Sequence, residues 1–303
     1  MRPSRGGPRV SIERIRALPC WQGDVAAEPL HGGLSNEIWK VTDARGGHVV
    51  RFGRDYPFHH VFRDREAMTA RAAARAGFAP AVEYTAPGVM VTEFLGAETW
   101  DGARVAANPQ AVAALVSDFH RRMGPEIEGA PYFFWPFQVV RDYARTLAAG
   151  GSPHAGELPR FLSLAAAAEA VQVPLPVVFG HNDLLPANFL QTPDGRVWLI
   201  DFEYAGFSTA MFDLAGAASN AGMDEAQARA LLTAYFGREP DAATSRAFDA
   251  MCVAALLREA MWAMVSDLHL SAPGVDYKAY TAENLKRLGV AVARYADKHG
   301  PLT

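Results

Sequence analysis

Apolar and β-branched residues fall in short runs over the first third of the chain and in longer helical periods after it. Ala27 to His31, Glu37 to Thr42 and His48 to Phe52 read as strands, and Asp43-Ala44-Arg45-Gly46-Gly47 turns between the second and third. Val61 to Ala76 carries alanines and charges at helical spacing, with Gly77 as its stop. Ala81 to Thr85 and Val89 to Phe94, separated by Pro87-Gly88, complete the run as two more strands. The order predicts a small, mostly antiparallel sheet with one helix packed across it.

Beyond Gly96 the pattern turns to alanine-rich helices at Pro109 to Arg122, Phe137 to Ala149, Leu158 to Ala170, Glu225 to Phe236, Thr244 to Leu268 and Ala279 to His299. Between Pro174 and Asp201 it breaks into short strand and loop segments. The change near residues 95–100 predicts a hinge and an α+β fold of two lobes. An N-terminal segment, 1–24, is expected to be partly flexible; 25–96 form a small antiparallel-sheet lobe and 97–303 a larger, mainly helical one.

Composition narrows the partners. Of 303 residues 50% are hydrophobic and 20% charged, as in ordinary globular chains, and the net charge is −4. That balance disfavours nucleic acid, which calls for a basic patch, and is compatible with a cationic substrate. Cys20 and Cys252 show neither zinc spacing nor a disulfide framework, which suits a reducing compartment. No apolar stretch follows Arg2, Arg5 and Arg9, so no signal peptide is expected. Ala250 to Val265 is interrupted by Arg258 and Glu259 and reads as a core helix, not the roughly 20-residue apolar span a membrane needs. A cytoplasmic protein is expected, with no nucleic-acid or membrane partner and with a homodimer left open.

The chemistry concentrates in His181-Asn182-Asp183-Leu184-Leu185-Pro186-Ala187-Asn188, after the apolar run Val177 to Phe179. An Asp followed five residues later by an Asn matches a kinase catalytic loop, in which the Asp orients the attacking hydroxyl and the Asn can hold magnesium. Asp and Asn are also common turn residues, so this half alone is weak. The second half is Val197-Trp198-Leu199-Ile200, an apolar strand ending in Asp201, with Thr192-Pro193-Asp194-Gly195 as the turn between. An acidic residue at a buried strand end suits the metal-binding aspartate.

In the first lobe, His31-Gly32-Gly33-Leu34-Ser35-Asn36 could bring backbone N–H groups of Gly33, Ser35 and Asn36 to phosphates, though a plain hairpin looks the same. Arg51 stands on the third strand where kinases place a phosphate-binding lysine, and Glu66 on the next helix where its partner belongs; singly, each reads as a solvated charge. Glu93, Phe94 and Leu95 would be the hinge that meets adenine.

Together these residues resemble the aminoglycoside phosphotransferase and choline/ethanolamine kinase superfamily over roughly residues 25–290, with a protein-kinase-like bilobal fold. Gly32-Gly33-Leu34-Ser35-Asn36, Val49-Val50-Arg51-Phe52-Gly53, Ile200-Asp201-Phe202-Glu203-Tyr204-Ala205-Gly206 and Phe212-Asp213-Leu214-Ala215 look most like choline/ethanolamine kinases, as do Leu257-Arg258-Glu259-Ala260-Met261-Trp262 and Val275-Asp276-Tyr277. The resemblance implies ATP and Mg²⁺ as nucleotide and metal, Asp183 as catalytic base, and Asn188 and Asp201 as metal ligands. It implies Arg51 and Arg75 at the nucleotide, and Glu203, Tyr204, Trp262 and Tyr277 around a choline- or ethanolamine-like cation, the aromatics acting by cation–π attraction. Core packing is the alternative for Trp262 and Tyr277, whereas Tyr204, close to Asp201, is expected to face the cleft. Trp135 reads as a packing aromatic at a helix start, and His181 as a loop brace.

Two positions depart from the family pattern. Asn220 stands where a carboxylate is usual, and Glu259 where a second tryptophan is usual. Glu259 and Trp262 share a helix face, so Glu259 could supply the charge missing at 220; the alternative is a surface glutamate paired with Arg258. Other small-molecule acceptors, such as aminoglycosides or thiamine, and a catalytically silent nucleotide-binding scaffold are the rival readings. A protein kinase is disfavoured, since no activation segment or A-P-E motif follows Asp201.

Overall fold

The computed structural model describes residues 11–30, 37–130, 132–271 and 274–303. The short α1 (Ile12–Arg16) leads into β1 (Ala26–Leu30), β2 (Glu37–Asp43) and β3 (Gly46–Phe52); α2 (Arg63–Arg75) follows, then β4 (Val82–Ala86) and β5 (Val89–Glu93). These strands form one sheet in the order β1-β2-β3-β5-β4, every neighbouring pair antiparallel. Inward-facing Val41, Val50, Phe52, Val89 and Val91 pack with Ile15, which is wholly buried. Residues 11–24 therefore dock on the sheet, with the Trp21 indole donating to the Ile15 carbonyl at 2.7 Å. The strand and helix order is the one the hydrophobic pattern predicts, with ends shifted by one or two residues.

The large lobe opens with β6 (Glu98–Thr99), α3 (Gly102–Ala107), α4 (Pro109–Met123), α5 (Pro136–Ala149) and α6 (Leu158–Ala170). It continues through β7 (Val177–Gly180), β8 (Phe189–Gln191), β9 (Val197–Leu199) and β10 (Gly206–Thr209) to α7 (Ala210–Ala221), α8 (Glu225–Phe236), α9 (Ala242–His269) and α10 (Tyr277–His299). At 28 residues α9 is about 42 Å long and apolar on nearly every side, the pattern of a buried helix. It packs against α5, α6, α7 and α10. Among the described residues no helix is long and apolar enough to cross a membrane.

Helix α7 is absent from the sequence reading. Its residues are almost all buried and apolar around the full turn, so no amphipathic period marks it, and its Thr209 N-cap makes no side-chain bond. By contrast α8 begins with a capping box, Asp224 and Gln227 each bonding the other's backbone N–H. Strand β10 is likewise absent from the sequence reading; it pairs antiparallel with β7, the strand that leads into the 181–188 loop.

Candidate active site

Asp183 sits in the loop after β7. That loop is tied down from beneath by Asp213, which α7 presents wholly inside the lobe. The Asp213 carboxylate accepts the backbone N–H of His181 at 2.7 Å, that of Asn182 at 2.6 Å, and His120 Nε2 at 2.8 Å. Burial alone would raise the Asp213 carboxyl; these donors hold it below its usual range. Asn182 takes the left-handed conformation, φ 59°, and its amide donates to the carbonyls of Tyr204 and Gly206, both at 3.1 Å. Gly180 cannot be larger, because a Cβ there would lie 2.8 Å from Asn182 Oδ1 and 3.1 Å from Asp213 Oδ2. His181 bonds the Ile200 carbonyl at 3.0 Å, so it does brace the loop.

The loop closes on itself and on the next strand. Asn188 Nδ2 donates to the Asp183 carbonyl at 2.8 Å, and the Ile200 N–H donates to the Asn188 carbonyl at 3.1 Å. Asp201 comes next, itself left-handed at φ 66°, at the open end of β9. Burial pushes the Asp183 carboxyl well above the usual carboxylate range; Arg258 opposes this, while Glu259, Asp201 and Glu203 add to it. Residues 183, 188 and 201 thus share one small region.

Across the crevice, Arg51 from β3 pairs with buried Glu66 of α2 and reaches Asp201 at 3.1 Å. Arg63, at the start of α2, bonds Glu66 at 2.6 Å and Glu203 at 3.0 Å, so Glu203, expected around the acceptor cation, sits with these arginines and does not line the cavity of Glu259. Sequence reasoning missed Arg63, although its i,i+3 spacing from Glu66 was a usable signal. Burial and the Asp201 charge push the Glu203 carboxyl up, against Arg63 and Arg51. Arg75 does not join this cluster: at the other end of α2 its guanidinium is engaged by Glu126 and Glu128. The Glu93 and Phe94 N–H groups are bonded to the carbonyls of Ala81 and Gly47, and the Leu95 carbonyl accepts the Ala97 N–H at 2.8 Å. Gly33, Ser35 and Asn36 lie outside the described residues.

On the opposite side Asp183, Asn220, Arg258 and Glu259 line one narrow cavity with Leu184 and Phe212. Glu259 is 8% exposed, which rules out the surface glutamate. It does pair with Arg258, at 2.9 Å, but inside the protein, and it also accepts the Tyr280 hydroxyl at 2.7 Å. Arg258 lies 3.8 Å from Asp183. Tyr204 does not face open space: it is 3% exposed, its hydroxyl accepts the Trp262 indole N–H at 2.8 Å, and the Arg258 guanidinium lies over its ring. Trp262 and Tyr277 are buried beside each other. A separate cavity of about 700 Å³, lined by Phe62, Arg65, Tyr132 and Trp135 among others, shares no residue with this cleft. Trp135 caps α5 and packs on Phe137, as a helix-start aromatic should.

The donor set fits magnesium. Among the described residues no three acidic, His or Cys side chains converge into a metal cage. One carboxylate and one amide, from Asp201 and Asn188, suit Mg²⁺ when phosphate oxygens and water complete its octahedron.

A small antiparallel sheet, a crossing helix and a helical lobe meeting at this cluster define a kinase-like phosphotransferase class. The comparisons agree. The model of the phosphotransferase enzyme family matches residues 26–248, and the chain belongs to that family. A choline/ethanolamine kinase family protein from Mesorhizobium loti is 26% identical with a TM-score of 0.72, covering 95% of this chain and 97% of its own. A choline kinase from Streptococcus pneumoniae, 19% identical, shares the fold at a TM-score of 0.71 over 89% of this chain and 94% of its own. A probable ethanolamine kinase of Arabidopsis thaliana is 25% identical over 205 residues, 62% of this chain; the match spans about half, 54%, of that relative's length.

Proposed function

We propose that the chain is a magnesium-dependent kinase that transfers the γ-phosphate of ATP to the hydroxyl of a small amino alcohol of the choline/ethanolamine kind. The supporting observation is the closure of the 183–188 loop onto the end of β9, which gathers Asp183, Asn188 and Asp201. Asp183 orients the acceptor hydroxyl and takes up its proton as the oxygen attacks; its raised basicity suits that task. Asn188 and Asp201 would hold Mg²⁺, whose charge screens the phosphates of the bound nucleotide. Arg51, kept in place by Glu66, neutralises charge on the transferring group. Backbone around Leu95 meets the adenine. Transfer is direct and in line, with no phosphoenzyme.

The relatives named as choline or ethanolamine kinases, and a carboxylate inside the acceptor cavity, support a cationic acceptor. The test is a product assay with ATP over ethanolamine, choline, thiamine and an aminoglycoside, with and without Mg²⁺. Metal-dependent phosphorylation of an amino alcohol is the expected result. Transfer only to thiamine or the aminoglycoside would replace the acceptor, and no transfer at all would overturn the reading.

A further inference from the structure

Resting on that reading, we propose that the acceptor cavity is built for an ammonium that donates hydrogen bonds, gripped by Glu259, and selects against a trimethylated one. A cation inside a protein is held either by aromatic faces or by oxygen acceptors. The aromatic route needs open ring faces, and here the trio is packed on itself. One face of Trp262 carries the His59 imidazole, near parallel at 22° with centroids 5.1 Å apart. Burial and then Arg258 push that imidazole well below its usual range. Tyr277 and Tyr280 meet Trp262 edgewise at 6.2 and 6.1 Å. Tyr204 already stacks on a cation, the Arg258 guanidinium 4.3 Å from its ring.

The acceptor route is intact. Glu259 lines the same cavity as Asp183 and as Asn220, which stands where the family carboxylate is usual. Its two oxygens each take one bond, from Arg258 and from Tyr280, and so each keeps a free lone pair. Burial and Glu259 hold the Tyr280 hydroxyl protonated, so it serves as donor. Three carboxylates, Asp183, Asp213 and Glu259, line the cavity against the one guanidinium of Arg258. Asp213 is taken up by His120 and two backbone N–H groups, which leaves Asp183 and Glu259 one formal negative charge ahead of Arg258, and one ammonium fills it. A primary ammonium can use those lone pairs; a trimethylated nitrogen has no N–H to give and leaves them unpaired in a dry site, which is costly.

The experiment measures kcat/KM for ethanolamine, N-methylethanolamine, N,N-dimethylethanolamine and choline with the full chain, ATP and Mg²⁺. The expected result is a fall with each methyl, steepest at the last, totalling about 100-fold or more. Glu259→Gln should lower kcat/KM for ethanolamine, narrow the ethanolamine-to-choline ratio and leave KM for ATP unchanged. Choline used as well as ethanolamine, or an unchanged ratio in Glu259→Gln, overturns this inference while the amino-alcohol reading stands. No turnover of any of the four, with ATP still bound, overturns both. Should the variant fail to fold, the wild-type series decides alone.

Discussion

The two ends of the crevice hold their charges in different ways. At the nucleotide end, Arg51 and Arg63 face Glu66, Asp201 and Glu203, and the cross-lobe pairs join residues 150 and 140 positions apart. At the acceptor end, Arg258 and Glu259 are neighbours on one long buried helix, and Tyr280 reaches them from the helix beside it. The first arrangement exists only while the lobes are packed together. The second is carried by a rigid element whatever the lobes do. At formal charge the first cluster keeps one negative charge in excess, which in the proposed reading a metal ion would meet, as an ammonium would meet the excess of Asp183 and Glu259 over Arg258.

The sharpest break in this comparison comes at the point where the ends meet. Asp183→Asn should lower kcat on the order of 10³-fold with ATP affinity retained, read by rapid quench and by nucleotide binding. Next in size is Asp213→Asn, which sets an amide against three converging donors. A loss of about 3 kcal/mol in chemical denaturation is expected. The sign with pH follows from the depressed carboxyl of Asp213. Its contribution is complete above the unfolded aspartate range and is lost as pH falls from there through the folded value, so Asp213→Asn should flatten the acid side of the stability profile.

Arg63→Gln touches only the nucleotide end. Glu203 loses its partner, and the KM for Mg²⁺ should rise about 10-fold while the acceptor KM stays put. An equal rise in both would erase the distinction between the ends. The smallest effect is on a pH profile. In the proposed mechanism Asp183 works deprotonated, so activity should be lost as pH falls through its raised value, and Arg258 restrains that rise. Arg258→Met should therefore move the acid limb of kcat/KM toward higher pH.

Much of this was legible in the chain itself. Asp183, Asn188 and Asp201 lie in motifs whose spacing reflects loop closure, and Arg51 and Glu66 stand on elements with clear periodicity. What escaped reading depends on tertiary contact. Helix α7 is apolar all round, so no period announces it. Arg63 and Tyr280 look like ordinary helix-surface residues until the lobe and the neighbouring helix bring Glu203 and Glu259 to them. Tyr204 shows the opposite failure: its place beside Asp201 suggests an open face, yet the fold spends that ring on Arg258 and Trp262.

Calorimetric binding of ATP with and without Mg²⁺ to wild type, Asp201→Asn, Asn188→Ala and Asp183→Asn tests the central arrangement most directly. The magnesium-dependent part of the affinity should vanish in the first two variants and persist in the third. Equal magnesium dependence in all four proteins would contradict the assignment of residues 188 and 201 to the metal.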